Sequence, residues 1–268
     1  MKADHAPIIS KTRLDELYDT YNSRKWVHPD PLEFLYQYTA PRDREIVGIV
    51  ASSLAYGRVA QILKSVGSVL EKMGPSPYDF IKHSTPVSLQ RTFKDFKHRF
   101  TTSKDLTGML DGVKSVIDRY GSLYACFLKG FKVDDEDILP ALSFLVSELT
   151  ALFNGHGNSL LPVPAKGSAC KRLNLFLRWM VRKDHVDPGG WLGIPTGKLM
   201  VPLDTHMQRI CSLLKMTHRK NADMRTVKEI TGAFRRIKPE DPVRYDFALT
   251  RLGIRSDADP DALLRICS

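Results

Sequence analysis

A chain of 268 residues with 43% hydrophobic residues can fill the core of one large or two modest domains. This composition excludes the class of proteins that are too polar to form a hydrophobic core. Its formal net charge of +10 indicates an anionic partner, yet charge alone does not separate nucleic acid from an anionic membrane or from simple solubility. Residues 161–268 carry 20 Lys and Arg against 11 Asp and Glu, so +9 of the excess lies in this part of the chain.

Cysteine usage and hydropathy indicate a reduced protein that stays out of the membrane. The four cysteines show no close pair, so neither a disulfide framework nor a zinc or iron–sulfur ligand set can be read from them; they are Cys126, Cys170, Cys211 and Cys267. No apolar run approaches the roughly 20 residues that a membrane-spanning helix needs, and the N-terminus has no apolar stretch of signal-peptide length. We expect a cytoplasmic protein with no metal and no cofactor.

The predicted elements are helices along most of the chain. Hydrophobic residues recur every three or four positions over most of the chain, and no convincing alternation of period two extends over strand length. The run over residues 46–70 is interrupted near Tyr56-Gly57, which predicts either one kinked helix or two joined helices, and Gly74-Pro75 ends it. Further runs cover residues 106–120 and 138–149. The pattern predicts an all-α fold.

The second half of the chain predicts a helix, a tight turn and a second helix. Pro162-Val163-Pro164 stops a helix that contains Leu145–Phe153, and Lys166–Ala169 forms a turn of small residues. The helix that follows, about 170–182, is apolar on almost every side and should be central. Residues 183–200 are too rich in Pro and Gly for a helix. Three amphipathic segments come after Asp204, and the Pro239–Pro242 stretch separates the last two.

A lysine and an aspartate near these helix starts are candidate catalytic residues. Lys171 lies in a first helical turn, where free N–H groups and neighbouring cations disfavour an ammonium group. It can be a nucleophile or one of many surface lysines. Asp204 follows Val201-Pro202-Leu203 and precedes a helical pattern, so its commonest role is an N-cap that accepts a hydrogen bond from the N–H of His206 or Met207. A rigid, ionised carboxylate at an N-cap can also assist a nearby lysine that acts as a nucleophile.

These segments resemble a known family. Gly167 to Arg172 leading into an apolar helix, followed by the segment Val201–Ile210, resembles the helix-hairpin-helix DNA glycosylases of the endonuclease III superfamily. In that family a hairpin lysine precedes a segment that carries the catalytic aspartate. Ala51–Val59 is similar to an early segment of the same family. Lys171 and Asp204 are 33 positions apart, a separation similar to that in the archaeal glycosylases for oxidised guanine.

The resemblance implies a two-lobed all-α fold with a DNA-binding cleft between the lobes. On this basis residues 44–182 form a lobe that ends in the hairpin and the Lys171 helix. Residues 8–43 and 201–268 form the second lobe, and residues 183–200 connect the two. The partner implied is double-stranded DNA, bound by a monomer associated with the nucleoid.

The activity implied is that of a DNA glycosylase with β-lyase activity. Lys171 would form a Schiff base with the sugar of a damaged nucleotide, and Asp204 would assist; an oxidised purine such as 8-oxoguanine is the expected base. Two alternatives stay open. The chain can be a nucleic-acid-binding protein of the same fold without catalysis, or a monofunctional glycosylase in which Asp204 acts through water.

Further site residues are expected from the same resemblance. The hairpin departs from the family because it retains one displaced glycine, Gly167, where several let the backbone approach a phosphate. The candidate DNA contacts are Lys166, Gly167, Ser168, Arg172 and Arg209. The candidates for the base pocket are Asp246, Trp191 and Ser53. For Asp246 the alternative is a surface aspartate paired with Arg244 or Arg251, and for Trp191 it is a buried loop anchor.

Overall fold

The structure, a computed structural model, describes residues 9–153 and 157–255 and is mostly helical, which confirms the all-α prediction. The α-helices in the described residues are α1 Lys11–Tyr21, α2 Pro41–Ser53, α3 Val59–Met73, α4 Pro77–His83, α5 Pro86–Thr92, α6 Ser103–Tyr120, α7 Leu123–Gly130, α8 Leu139–Leu149, α9 Lys171–Val181, α10 Thr205–Leu213, α11 Met224–Ile237 and α12 Asp246–Arg255. None of the helices in these residues is both long and apolar enough to cross a membrane.

Short elements fill several of the connections. The 3-10 helices are Arg24–Trp26, Pro31–Gln37, Ala151–Phe153, Pro164–Lys166 and Thr196–Lys198. Two strands of two residues each, β1 Lys97–His98 and β2 Thr101–Thr102, pair as an antiparallel hairpin. This hairpin was not predicted, because two residues are too few to show an alternating pattern.

Glycines with positive φ decide how the first helices end. The chain between α2 and α3 turns at Gly57, which has φ 96°, so residues 46–70 form two helices and not one kinked helix. Helix α3 ends at Gly74 with φ 75°, as the Gly-Pro pair predicts. A left-handed conformation at these two positions costs glycine little and other residues about 1 kcal/mol or more.

The predicted hairpin is only partly helical. Helix α8 ends at Leu149, inside the predicted helical segment Leu145–Phe153, and a 3-10 turn follows it. The element just before the tight turn is the single 3-10 turn Pro164–Lys166. The prediction of a helix leading directly into the tight turn was therefore wrong, since Pro162 and Pro164 have no N–H with which to continue helical hydrogen bonds up to it.

Helix α9 lies in the centre of the molecule, as its apolar sequence predicts. It packs against α2, where a Cβ placed on Gly48 would lie 3.2 Å from the ring of Phe176. Trp179 is fully buried on the same helix. Helices α1 and α10 pack against α12, and the 3-10 helix Pro31–Gln37 packs against α2 and α3. The first described helix thus contacts the last one.

Residues 183–200 form a loop that is fixed to the core by one buried carboxylate. Oε1 of Glu45 accepts a hydrogen bond from Nε1 of Trp191 at 3.0 Å, and Oε2 accepts one from the N–H of Leu123 at 2.8 Å. Burial raises the pKa of Glu45 to about 7, although these hydrogen bonds act in the opposite direction. Helix α2, the start of α7 and the loop are joined at this side chain.

We expect Glu45→Gln to make the free energy of unfolding less sensitive to pH. Because folding raises the Glu45 pKa from 4.5 to about 7, the folded state binds more protons in this window, and stability falls as pH rises through it. The glutamine does not titrate, so its stability relative to the wild type should improve by about 3 kcal/mol between pH 5 and pH 8. Urea unfolding at both pH values measures this difference. The same difference at both pH values would contradict the prediction, and the exposed Glu71→Gln is the control.

Candidate active site

Lys171 and Asp204 meet in the folded chain. Nζ of Lys171 lies 2.9 Å from Oδ2 of Asp204, and each side chain is 32% exposed. Lys171 is the first residue of α9, and Asp204 is the N-cap of α10, where its Oδ1 accepts a hydrogen bond from the N–H of Met207 at 2.7 Å. The sequence predicted both positions. The structure adds that two helix starts face each other with an amine and a carboxylate in contact.

The turn before Lys171 is held by its backbone. Gly167 has φ 80° and its carbonyl accepts a hydrogen bond from the N–H of Met224, at the start of α11, at 2.9 Å. Cys170 also lies in the left-handed region, with φ 47°, and its carbonyl accepts the first intrahelical bond, from the N–H of Asn174. A non-glycine residue in this region is strained by roughly 1–3 kcal/mol, so the surrounding contacts must fix the direction in which α9 starts.

Asp204 carries a negative charge at neutral pH. Burial acts to raise its pKa, but the Lys171 ammonium and the N–H of Met207 outweigh burial and hold the pKa of Asp204 below its usual value. The carboxylate therefore stays ionised beside the amine. A fixed negative charge of this kind stabilises a cation that develops next to it.

An open pocket of about 540 Å³ gives access to the pair. Its volume lies within the usual range for small-molecule sites, roughly 300–1,000 Å³. The lining residues that bear on the chemistry are Lys171, Arg172, Asp204, Tyr56, Gly57 and Pro162. The loop between α2 and α3, the turn before α9 and the start of α10 thus form one pocket. Sequence reasoning missed Tyr56, although it lies inside the segment Ala51–Val59 that carries the family resemblance.

Arg172 forms part of the pocket wall. Its Nη1 donates to the carbonyl of Ser53 at 2.7 Å and its Nη2 to the carbonyl of Ser159 at 2.5 Å. The guanidinium carbon lies 5.1 Å from the centre of the Tyr56 ring. Arg172 was a candidate DNA contact. Two of its nitrogens donate to carbonyls of the protein itself, so its main role is to hold the pocket wall in place and not to bind a phosphate.

Two candidates for the base pocket are buried in the core. Ser53 is fully buried, and its hydroxyl makes no hydrogen bond within the described residues. Trp191 is 2% exposed and packs against Phe127 and Phe176. Neither side chain has a surface on which a base could stack, so this assignment is corrected for both. Trp191 matches the other reading of the sequence, a buried loop anchor.

Asp246 is also buried, which corrects the alternative of a surface aspartate paired with Arg244 or Arg251. It is the first residue of α12, is 6% exposed, and accepts a hydrogen bond from Nη1 of Arg178 on α9. Burial raises the pKa of Asp246 to about 6, although the Arg178 charge opposes this. Asp246 does not line the pocket. Its hydrogen bond with Arg178 joins the start of α12 to α9.

The other predicted DNA contacts lie at the surface. Lys166, Gly167 and Ser168 are exposed in the turn before α9, and Arg209 is exposed on α10, one helical turn beyond the Asp204 cap. Neither Lys166 nor Arg209 has an ion-pair partner among the described residues. Their charges remain available to an anionic partner, one in the turn before Lys171 and one on the helix that Asp204 caps.

A second pocket, of about 580 Å³, lies between α5 and α6 and includes Asp105, Asp111 and Asn158. It contains neither Lys171 nor Asp204. We place the candidate chemistry at the smaller pocket, because its amine–carboxylate pair joins the starts of two helices, α9 and α10.

The described residues hold no group of three or more His, Cys, Asp or Glu side chains arranged to bind a metal ion. Cys126, Cys170 and Cys211 are buried free thiols, and Cys267 lies outside the described residues. Burial raises the pKa of the Cys126 thiol to about 12 and that of Cys170 above its usual value. These thiols have the character of small core residues and not of nucleophiles.

Comparison with family models finds a match to a family described as "Protein of unknown function (DUF2400)", over residues 30–255. The chain belongs to this family. No curated protein and no solved structure matches the chain. The matched range includes the early loop with Tyr56, both members of the Lys171–Asp204 pair and the buried Asp246, so the whole candidate site lies within the DUF2400 region.

The two roles of Asp204, helix cap and charge, can be separated by Asp204→Asn. Asparagine caps a helix about as well as aspartate, so the free energy of unfolding should change by less than about 1 kcal/mol. The negative charge beside Lys171 is lost, and the DNA strand cleavage proposed below is expected to fall by roughly 10²–10³-fold. Urea unfolding and a cleavage assay measure the two effects.

A matched control is Asp223→Asn. Asp223 is the N-cap of α11, accepts from the N–H of Thr226 at 2.9 Å, and pairs with Arg219 at 2.7 Å. This variant changes a cap and an ion pair of the same kind without touching Lys171, so cleavage should be retained. Equal losses in the two variants would contradict a catalytic charge at Asp204.

Proposed function

We propose that this protein is a DNA glycosylase with β-lyase activity that acts through Lys171 and Asp204. The observation that carries the proposal is the 2.9 Å contact between the Lys171 amine and the Asp204 carboxylate in a pocket open to solvent. A nucleophile beside a fixed acidic group, in a cavity that admits a nucleoside, is the arrangement that covalent attack on a sugar requires.

The first step is displacement of the base. Lys171 gives up a proton to solvent, and the nitrogen lone pair forms a bond to C1′ of the damaged nucleotide. The C1′–N bond to the base breaks, and the base leaves with that electron pair and takes up a proton. Asp204 stabilises the positive charge that develops on the sugar, because its low pKa keeps it ionised.

The second step is cleavage of the strand. The Lys171–sugar adduct opens its ring to a protonated imine, a Schiff base between Nζ and C1′. Loss of a proton from C2′ then breaks the bond between C3′ and its oxygen, and the phosphate leaves with the electron pair. Water finally hydrolyses the imine and regenerates the amine.

Exposed charge on the two elements that carry the pair supports DNA as the partner. Lys166 and the backbone of Gly167 and Ser168 are exposed in the turn before Lys171, and Arg209 is exposed on α10, which Asp204 caps. Duplex DNA presents a regular row of phosphates, so these cations can help to place one nucleotide over Lys171. We propose that this pocket lies in the cleft of a two-lobed glycosylase fold and that its base is an oxidised purine such as 8-oxoguanine.

One observation favours a monofunctional version of the same enzyme. In the structure Lys171 is ion-paired, and an ammonium group has no lone pair for attack. In this version Lys171 holds a phosphate or the carboxylate, and Asp204 activates water toward C1′. The base is then released and an intact abasic strand remains.

Borohydride trapping on single-lesion duplexes tests the proposal. Borohydride reduces a Schiff base to a stable amine, so the wild type should form a covalent adduct with an 8-oxoguanine or abasic duplex, visible as a shifted band on a denaturing gel. Release of base without adduct or strand cleavage would support the monofunctional version. Binding without release of any base from a panel of lesions would instead make the chain a DNA-binding protein.

A further inference from the structure

The β1–β2 hairpin carries the most exposed aromatic residue of the described chain. Phe100 lies at its tip and is 80% exposed; the other large hydrophobic side chains that are exposed in residues 9–153 and 157–255 are aliphatic. A single exposed apolar side chain is common in proteins and needs no function. The way in which this one is held is less common.

The hairpin is bound tightly to the wall of the Lys171 pocket. The Tyr56 hydroxyl donates to the carbonyl of His98 at 2.8 Å and lies 2.6 Å from Oγ1 of Thr101, so it joins both strands. The buried His98 ring lies 3.1 Å, through Nε2, from the carbonyl of Tyr56 and 2.9 Å, through Nδ1, from the hydroxyl of Ser65. Tyr56 also lines the pocket. The position of the hairpin is therefore fixed relative to that pocket.

The tip itself is strained and basic. Arg99 has φ 52°, a conformation that costs a non-glycine residue roughly 1–3 kcal/mol. Its side chain lies so close to Gly57 in the pocket wall that a Cβ there would be 2.6 Å from Cδ of Arg99. The Arg99 guanidinium lies 5.3 Å from the centre of the Phe100 ring. Lys97, in β1, and Arg58, next to Gly57, are also exposed cations.

We infer that Phe100 is a wedge that enters the base stack of duplex DNA at the nucleotide extruded toward Lys171. An enzyme that acts on a base must take it out of the helix, and apolar side chains inserted between base steps fill such gaps. The Arg99 guanidinium beside Phe100 can pair with a phosphate next to the gap. A rigid hairpin, tied to the pocket through Tyr56, holds the wedge at a fixed distance from the pocket.

This inference rests on the proposed function, because a wedge is useful only where a nucleotide leaves the stack. Phe100 itself would touch neither the reacting sugar nor Lys171. Its role is to stabilise the duplex with a missing base relative to the intact duplex. Replacing it should therefore change the discrimination between damaged and undamaged DNA more than it changes the chemistry on an already open site.

The test compares binding of two duplexes that differ at one position, an undamaged one and one with a tetrahydrofuran abasic analogue, by fluorescence anisotropy. We expect the wild type to prefer the abasic duplex, and Phe100→Ala to lose about tenfold of that preference, since stacking on an aromatic ring is worth roughly a factor of ten per base. Phe100→Tyr should restore the preference. Val87→Ala, which shortens a 75% exposed apolar side chain on α5, should change nothing.

Phe100→Trp provides a spectroscopic readout. If residue 100 enters the stack, the fluorescence of the new tryptophan should be quenched on the abasic duplex more strongly than on the undamaged one, relative to the signal of the wild-type tryptophans. Unchanged preference in Phe100→Ala, together with equal signals of Phe100→Trp on both duplexes, would overturn the wedge alone. Absence of any abasic preference in the wild type would overturn the proposed function as well.

Discussion

Lys171→Gln is expected to abolish the borohydride-trapped adduct and to lower strand cleavage by at least about 10³-fold. The glutamine amide keeps a side chain of similar length but has no nucleophilic lone pair, so no bond to C1′ can form. Stability should change little, because the lost ion pair is one-third exposed and such pairs contribute about 0–1 kcal/mol. Trapping and cleavage on an abasic duplex at saturating protein measure the effect.

Lys166→Gln separates loss of charge from loss of the nucleophile. Lys166 is exposed five residues before Lys171 and has no ion-pair partner among the described residues. If it contacts a phosphate, its removal should weaken DNA binding and reduce the slope of affinity against salt by about one, while trapping at saturating DNA stays intact. An adduct that persists in Lys171→Gln would reject Lys171 as the nucleophile.

Asp187→Asn is expected to lower the free energy of unfolding by about 3–5 kcal/mol. Asp187 is fully buried; its Oδ1 accepts from Nη2 of Arg178 at 3.0 Å, and its Oδ2 accepts from Nη1 of Arg182. The neutral amide leaves two buried guanidinium groups with less opposing charge, and breaking a buried ion pair on one side costs about this much. Urea unfolding at neutral pH measures the loss.

An exposed ion pair provides the control for Asp187. Nζ of Lys114 lies 3.0 Å from Oδ2 of Asp118, which is 54% exposed on α6, so Asp118→Asn should cost less than about 1 kcal/mol. Equal effects in the two variants would show that burial of the Asp187 ion pairs does not affect the free energy of unfolding.

Arg178 also connects two parts of the structure. It donates hydrogen bonds to Asp187 in the loop and to Asp246 on α12. Loss of the Asp187 carboxylate should therefore loosen the packing of the loop against α9.

Helix positions were predictable because they depend on local pattern. The period of three to four residues located most of the long helices, and Asp204 was identified as a cap from the helical pattern that follows it. The predicted continuation of this helix through Phe153 was wrong because the chain near residue 150 leaves the helix by a 3-10 turn, which has nearly the same apolar spacing as an α-helix end. The β1–β2 hairpin was too short to produce a pattern.

Contacts between distant residues were not predictable in the same way. Trp191 and Asp246 were both proposed for the base pocket, and both are buried in the structure through partners far away in the chain, Glu45 and Arg178. A tryptophan in a loop and an aspartate at a helix start have the same local sequence whether they face a ligand or the core. Only the packing of α2 and α9 decides whether these side chains face a ligand or the core.

By itself, the sequence determined the helical class, the basic C-terminal half, and the presence of a lysine and an aspartate at two helix starts. These properties are local or compositional, so they do not depend on how the helices pack. The tertiary structure decided that Lys171 and Asp204 lie 2.9 Å apart, that Tyr56 forms part of the pocket wall, and that the hairpin carrying Phe100 is hydrogen-bonded to Tyr56. Such distances follow from the packing of α2, α9 and α10, which no local pattern encodes.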